Sequence, residues 1–237
     1  MRKRSAAFLP FVLIALCTAG FAAGDAYQVS QKLREDMPPF VFTLEFSQTE
    51  YSAKEAEQRS LGGESDLCYI HSIVISHEGT GGELQRIDLN PPAETFADQE
   101  YGYGLILEDM DFDGFVDMRV MQFVSAGVNI PYHCWLWSPV NQCFVYNETL
   151  SAVSSPIFDP LSRRVYGFET GGTAEYIDTT YEYRGADLEL ISRVTTGYDF
   201  ESGTAIVTTE QPMDGEMVVT GVTREPLLLL DDGEFDW

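Results

Sequence analysis

Hydrophobic and polar residues alternate along most of this chain, in runs of five to ten broken by turn residues. "FVFTLEF" at 40–46 and "YIHSIVISH" at 69–77 change face at every position, the period of a half-buried β-strand. "LQRIDL" (84–89) follows the turn "GTGG" and predicts a hairpin with the strand before it. "GLILE" (104–108) and "FVDMRVMQFV" (115–124) come next, then "YHCWLW" (132–137) and "CFVYNE" (143–148) as a further pair. "RVYGFET" (164–170) leads into "AEYIDTTYEYRGADLELISRV" (174–194). There Ile177, Thr179, Tyr181 and Tyr183 fall on one face, Asp178, Thr180 and Glu182 on the other, and "RGAD" reverses the chain. "GTAIVTTEQP", "GEMVVTGVTRE" and "PLLLL" complete the series.

Helical signal is confined to "SAKEAEQRSL" (52–61), a short helix or an exposed loop. No Pro-, Ser- or Gly-rich linker divides the chain beyond its first residues. The pattern therefore predicts one all-β domain of antiparallel strands over 25–237, a sandwich, barrel or small propeller. Repeats strict enough to mark blades are absent.

The opening residues differ. Arg2, Lys3 and Arg4 precede the apolar run Phe8–Phe21, and Ala22, Ala23 and Gly24 offer a cleavage site. Residues 1–24 read as a secretory signal peptide, too short in its apolar run for a membrane anchor. Leu16 stands before Cys17 where lipoprotein signals carry a small residue, which argues against lipidation. The expected location is the periplasm or the exterior, with no membrane span.

Charge sharpens this picture. The chain carries 38 acidic against 14 basic residues, a formal charge of −24, and losing Arg2, Lys3 and Arg4 makes it more negative still. Such a surface excludes nucleic acid as a partner and favours a basic protein or metal ions. With 44% apolar residues the chain is nevertheless a folding one rather than a disordered acidic tail. After processing, Cys68, Cys134 and Cys143 remain, and an oxidising compartment permits one disulfide. Cys134 and Cys143 flank the hairpin "WLWSPVNQ" and are the favoured pair, with Cys68 as the alternative partner. Pro139 predicts a connection longer than a two-residue turn.

The acids concentrate once between strands. Asp109, Asp111 and Asp113 occupy positions 1, 3 and 5 of a D-x-D-x-D-G loop, with Gly114 at position 6. Phe115 stands at position 7, where the backbone carbonyl points inward, and Asp117 at position 9. This is the ligand layout of an EF-hand-like calcium loop. Hard oxygen donors without His or Cys argue against zinc, and magnesium is the alternative. Position 12 is Val120 rather than a bidentate Glu, and the flanks are strands, so the motif sits in a β-protein and its role is structural. Asp109, Asp111, Asp113, Phe115 and Asp117 are the expected metal ligands.

From Tyr103 to Arg193 the ordered stretches "GLILEDMDFDGFVDMRV", "SAGVNIPYHCWLWSP", "SSPIFDP" and "GGTAEYIDTTYEY" resemble calcium-binding β-propeller immunity proteins. Those are exported bacterial proteins that neutralise lysozyme-like effectors of type IV secretion systems, similar in fold to periplasmic lysozyme inhibitors. The resemblance implies a small propeller-like domain, structural Ca²⁺ at Asp109, Asp111, Asp113 and Asp117, and a basic lysozyme-like peptidoglycan hydrolase as partner. "VSAGVNIPY" (124–132) and "ETGGTAEY" (169–176) are candidate contact loops.

An enzyme is not expected. Glu175 and Asp178 could pair as glycosidase acids, but in so acidic a chain pairs arise by chance, and no nucleophile motif is present. His71 and His77 share the strand face of Ile73 and Ile75 and read, with His133, as packed residues. The competing reading is a calcium-stabilised adhesion or scaffold module outside the cytoplasm.

Overall fold

The computed structural model describes residues 25–49, 66–100, 102–125, 127–172 and 174–227. The expected signal peptide, the segment 52–61 and the acidic C-terminal end lie outside them. Backbone contacts divide the chain into two compact units. One runs to Pro92 and includes Phe96–Tyr103; the other comprises Ala93–Thr95 and everything from Gly104 on.

The first unit is a four-stranded antiparallel meander of β1 (Asp25–Lys32), β2 (Pro39–Gln48), β3 (Leu67–His77) and β4 (Glu83–Phe96), in that spatial order. Its core follows from the alternation. Phe40, Phe42, Leu44 and Phe46 of β2 all point inward and meet Tyr27 and Val29 of β1 and Ile70, Ile73 and Ile75 of β3. Burying side chains of this size contributes about 1.5–3 kcal/mol each. On the other face Arg86 forms an ion pair with Glu45 at 2.8 Å, and Ser72 donates to the same carboxylate.

A β-bulge changes one expectation. The register passes from Glu45↔Ser72 to Phe46↔Ile70, leaving His71 as the extra residue. The bulge interrupts the period of two, so Ile70 and Ile73 are both buried while His71 turns outward and meets Ser47 Oγ at 2.8 Å. His77 packs against Phe40.

The second unit holds two more meanders. The first orders β5 (Leu105–Glu108), β6 (Asp117–Met121), β7 (Tyr132–Ser138) and β8 (Cys143–Tyr146). After the single-turn helix α1 (Glu148–Ser151), capped by Asn147, a six-stranded sheet follows. It consists of β9 (Ile157–Asp159), β10 (Arg164–Gly172), β11 (Glu175–Arg184), β12 (Asp187–Asp199), β13 (Thr204–Met213) and β14 (Glu216–Pro226), each beside its neighbour in sequence. Met110, Phe112, Cys134, Leu150, Val153, Val165 and Leu188 form the core, with Tyr132, Leu136, Phe158, Tyr181 and Tyr183 packed against it. Gly167 lets strand β10 lie close to its neighbours: a Cβ there would stand 2.5 Å from Thr179 Oγ1 and 2.7 Å from Val153 Cγ1.

Arg119 of β6 fastens this unit internally. Its guanidinium stands 2.7 Å from Glu108 Oε1, donates to the Pro156 carbonyl at 3.0 Å, and lies over the rings of Tyr132 and Phe158. Only 11% of the side chain is exposed, and these contacts replace much of its hydration, although its Nε is buried without a hydrogen-bond partner among the described residues.

All sheets are antiparallel, as the sequence predicts. No closed barrel or propeller is found among the described residues, and no described helix is long and apolar enough to cross a membrane. The expected Cys134–Cys143 disulfide is absent. Cys68, Cys134 and Cys143 are all free thiols. The hairpin register gives the reason. Four residues, Pro139–Gln142, connect β7 to β8, Ser138 faces Cys143, and the Asn147 N–H bonds the Cys134 carbonyl. The two cysteines thus sit at opposite ends of the hairpin, about 13 Å apart at 3.3 Å per residue, far beyond disulfide reach.

Candidate metal centre

The pair Glu108↔Asp117 closes the β5–β6 hairpin, so residues 109–116 form its loop. Side chains along this loop divide by character. Met110, Phe112 and Phe115 are buried among apolar neighbours, and the intervening acids turn the other way. The loop then folds on its own carboxylates. Asp109 accepts the N–H groups of Asp113 at 3.1 Å and Gly114 at 3.0 Å, and Asp111 also accepts the Asp113 N–H at 3.1 Å. Asp113 accepts the Phe115 N–H at 2.8 Å. The sharp turn falls at Gly114, whose φ of +90° only glycine adopts without strain.

Asp117 lies deepest. It is fully buried at the start of β6 and accepts the N–H groups of Met110 and Trp137, both at 2.8 Å. Carboxylate oxygens of Asp109, Asp111 and Asp117 come within 4.8 Å of one another. Asp113 does not join that group; its Oδ1 accepts the Phe115 N–H. Phe115 enters the site as this backbone donor, with its ring in the apolar interior.

Crowding and burial oppose ionisation here. Burial, reinforced by Asp111 and Asp113, pushes the Asp117 carboxyl up to about 8, despite its two N–H donors. Burial and then the Asp113 carboxylate push Asp111 up to about 6. Asp109 is also raised, first by burial. A cation among these oxygens would reverse the effect, because it favours the charged form of each acid.

The surroundings fit such an ion. Tyr183, from the six-stranded sheet, has its Oη buried without a hydrogen-bond partner among the described residues, and burial together with the loop acids raises its pKa. A cleft of about 490 Å³ lined by Asp111, Asp113, Ser162, Arg163, Glu182 and Tyr183 opens beside the loop. The donor set is all oxygen, suited to a hard divalent ion and unsuited to zinc. Tyr183, Ser162 and Arg163 were not legible as neighbours of the loop. They come from strands and turns far along the chain, and only tertiary packing brings them there.

The two candidate contact loops also meet. Asn129 of the segment 124–132 accepts the Thr170 N–H through Oδ1 at 2.7 Å and donates to the Thr170 carbonyl at 3.1 Å. Ser155 secures the same segment. Its Oγ donates to the Val128 carbonyl and accepts the Ile130 N–H at 2.9 Å, while its own N–H reaches the Ile130 carbonyl at 2.9 Å. Phe123 and Val128 remain exposed beside this junction. Glu175 is exposed across the β10–β11 turn.

No protein-family model matches the chain, and no curated protein matches it. Among solved structures the chain is similar to one described as a Xanthomonas type IV secretion system related protein. That likeness has a TM-score of 0.55 at 18% identity and covers 83% of this chain and 99% of the other. At that identity it shows the fold alone. A second, provisionally assigned as a 6-phosphogluconolactonase of Bacteroides fragilis, covers 88% of this chain and 72% of its own at 10% identity. Its TM-score of 0.26 carries no argument.

Proposed function

We propose that this chain is an exported calcium-binding immunity protein that binds and blocks a basic, lysozyme-like peptidoglycan hydrolase and has no hydrolytic activity itself. Asp109, Asp111 and Asp117 would hold Ca²⁺ through side-chain oxygens, with Asp113 and Phe115 completing the loop. The ion's part is structural: its charge keeps buried carboxylates ionised at the hairpin that joins β5 to β6. The four-stranded meanders each have the form of a propeller blade, and a small propeller-like domain belongs to the same proposal.

The observation that carries the inhibitor reading is the Asn129–Thr170 clasp. It ties together the two Gly-containing segments that are the candidate contact loops. Segments held this way lose little freedom on binding a partner, which favours tight binding. The acidic surface would steer it towards a basic enzyme. The solved structure related to type IV secretion supports the setting that the resemblance implies.

The test is titration of the purified protein against lysozymes and bacterial peptidoglycan hydrolases. Inhibition is expected, with association slowing as salt shortens the Debye length from about 10 Å at 0.1 M to about 3 Å at 1 M. Asn129→Ala should weaken it chiefly through faster dissociation. Calcium binding without inhibition of any enzyme would favour the scaffold reading, and cleavage of peptidoglycan by the protein alone would make it an enzyme.

A further inference from the structure

Tyr183 brings to the metal loop a buried polar group that the loop's own hydrogen bonds do not explain. It stands near the end of β11, opposite Leu188 across the β11–β12 turn, and packs with Tyr181 against the core. Its ring meets that of Phe112, from the loop itself, edge-on, with centroids 6.2 Å apart and planes at 83°. Phe112 is buried in its turn. Packing thus fixes the Tyr183 ring and, with it, the place of the hydroxyl. Oη is buried there with no hydrogen-bond partner among the described residues, whereas a buried tyrosine hydroxyl ordinarily has one.

The hydroxyl belongs with the loop acids electrostatically. Burial first, and then charges that include Asp111, Asp117 and Asp109, raise its pKa, so it stays a neutral phenol. The other polar side chains lining the adjoining cleft are committed elsewhere. Glu182 accepts from Arg164 at 2.7 Å, Ser162 donates to Asp159 at 2.7 Å, and Asp113 Oδ1 accepts the Phe115 N–H. Arg163 is a cation without a lone pair to offer an ion. The cleft, at about 490 Å³, has room for several waters at about 30 Å³ each. Calcium takes about six to eight oxygens, more than the clustered carboxylates of Asp109, Asp111 and Asp117 supply.

Resting on the calcium reading, we propose that the Tyr183 hydroxyl holds a water on the metal ion and so completes the site from the six-stranded sheet. A water bound through its oxygen turns its hydrogens away from the ion, and the phenol oxygen accepts one of them. The bridge would make the ion fasten two sheets of the second unit, the one ending in the β5–β6 hairpin loop and the one carrying β11, rather than a single hairpin.

The probes are Ca²⁺, titrated by calorimetry, and Tb³⁺, whose luminescence decay in light and heavy water counts the waters on the bound ion. Tyr183→Phe keeps the ring against Phe112 and removes only the hydroxyl. It should weaken Ca²⁺ binding about tenfold, as loss of an outer partner of a metal site does, and bound Tb³⁺ should carry a water fewer. In chelator the variant should melt no lower than the wild type, since a buried unpaired hydroxyl is gone. A hydroxyl with a merely structural role would lower the melting temperature with and without calcium, which would overturn the proposal. Equal affinity and equal water count in the two proteins would overturn it and leave the calcium site standing. A water gained by the variant would make Tyr183 a direct ligand and overturn the bridge. No binding of either ion to the wild type would overturn the calcium reading itself, and this proposal with it.

Discussion

If the loop holds calcium as proposed, removing the ion while raising the pH should destabilise the protein steeply, and Asp117 sets the scale. In the metal-free fold its carboxyl holds a proton up to about 8, against 3.8 ordinarily. A raised folded-state value means stability that is fully present below about pH 4 and lost as the pH rises through about 8. At 1.36 kcal/mol per pH unit the gap corresponds to roughly 6 kcal/mol. Asp111, raised to about 6, acts in the same direction but shares its charge environment with Asp117, so the two do not simply add. Against a typical total of about 5–15 kcal/mol for a domain, that loss is large.

Calcium should reverse the slope. The proposed ion would bind ionised acids, so its affinity should rise with pH, and at 100 times the dissociation constant it would restore about 2.7 kcal/mol. Urea unfolding followed by circular dichroism, in chelator and in excess calcium from about pH 5 to about pH 9, measures both slopes. Asp117→Asn removes the ionisation and should flatten the chelator curve. It should also cost about 1–3 kcal/mol, because the Asn amide cannot accept from both Met110 and Trp137. Identical pH slopes with and without calcium, or a chelator curve that Asp117→Asn leaves unchanged, would refute this reasoning.

Arg119→Leu should destabilise by roughly 3 kcal/mol, because Glu108 is left without its cation; pairing it with Glu108→Gln should recover part of the loss in the same denaturation assay. Gly167→Ala should cost about 1–3 kcal/mol, since its Cβ would press on Thr179 and Val153, read as a lower melting temperature. A thiol reagent should label Cys143 in the native protein, and Cys68 and Cys134 only after unfolding, since burial pushes both of those up to about 12; reducing agent should leave the melting temperature unchanged.

The strands were legible because one buried face imposes a period of two, as at Phe40–Phe46, where every second residue is inside. Where the backbone breaks that period, the pattern misleads: the bulge at His71 sends outward a side chain that alternation puts inside. The cysteine pair failed for a related reason. Pro139 correctly predicted a longer connection, but only the register shows that the connection leaves Cys134 and Cys143 at opposite ends. In the loop, spacing placed Asp109, Asp111 and Asp117 together. It did not show that Asp113 is engaged by the Phe115 N–H, because that bond depends on turn geometry rather than residue type. Tyr183 and the Asn129–Thr170 clasp join residues distant in sequence, and no local pattern encodes them.

In each of the three sheets every strand lies beside its sequence neighbour. Folding therefore needs no crossover that must await a distant segment. Most hairpins close over a short stretch of chain, the longest connection being the 18 residues between Gln48 and Leu67, at a loop-closure cost that grows only slowly with length. All-β proteins usually fold slowly because their contacts are remote in sequence; this order of strands lowers that barrier. If the chain is exported as proposed, threaded from its N-terminus, it could add strands one at a time as they emerge. Each strand but the first of its sheet, β1, β5 or β9, would find its partner already outside, so that few unpaired edges are presented to other chains.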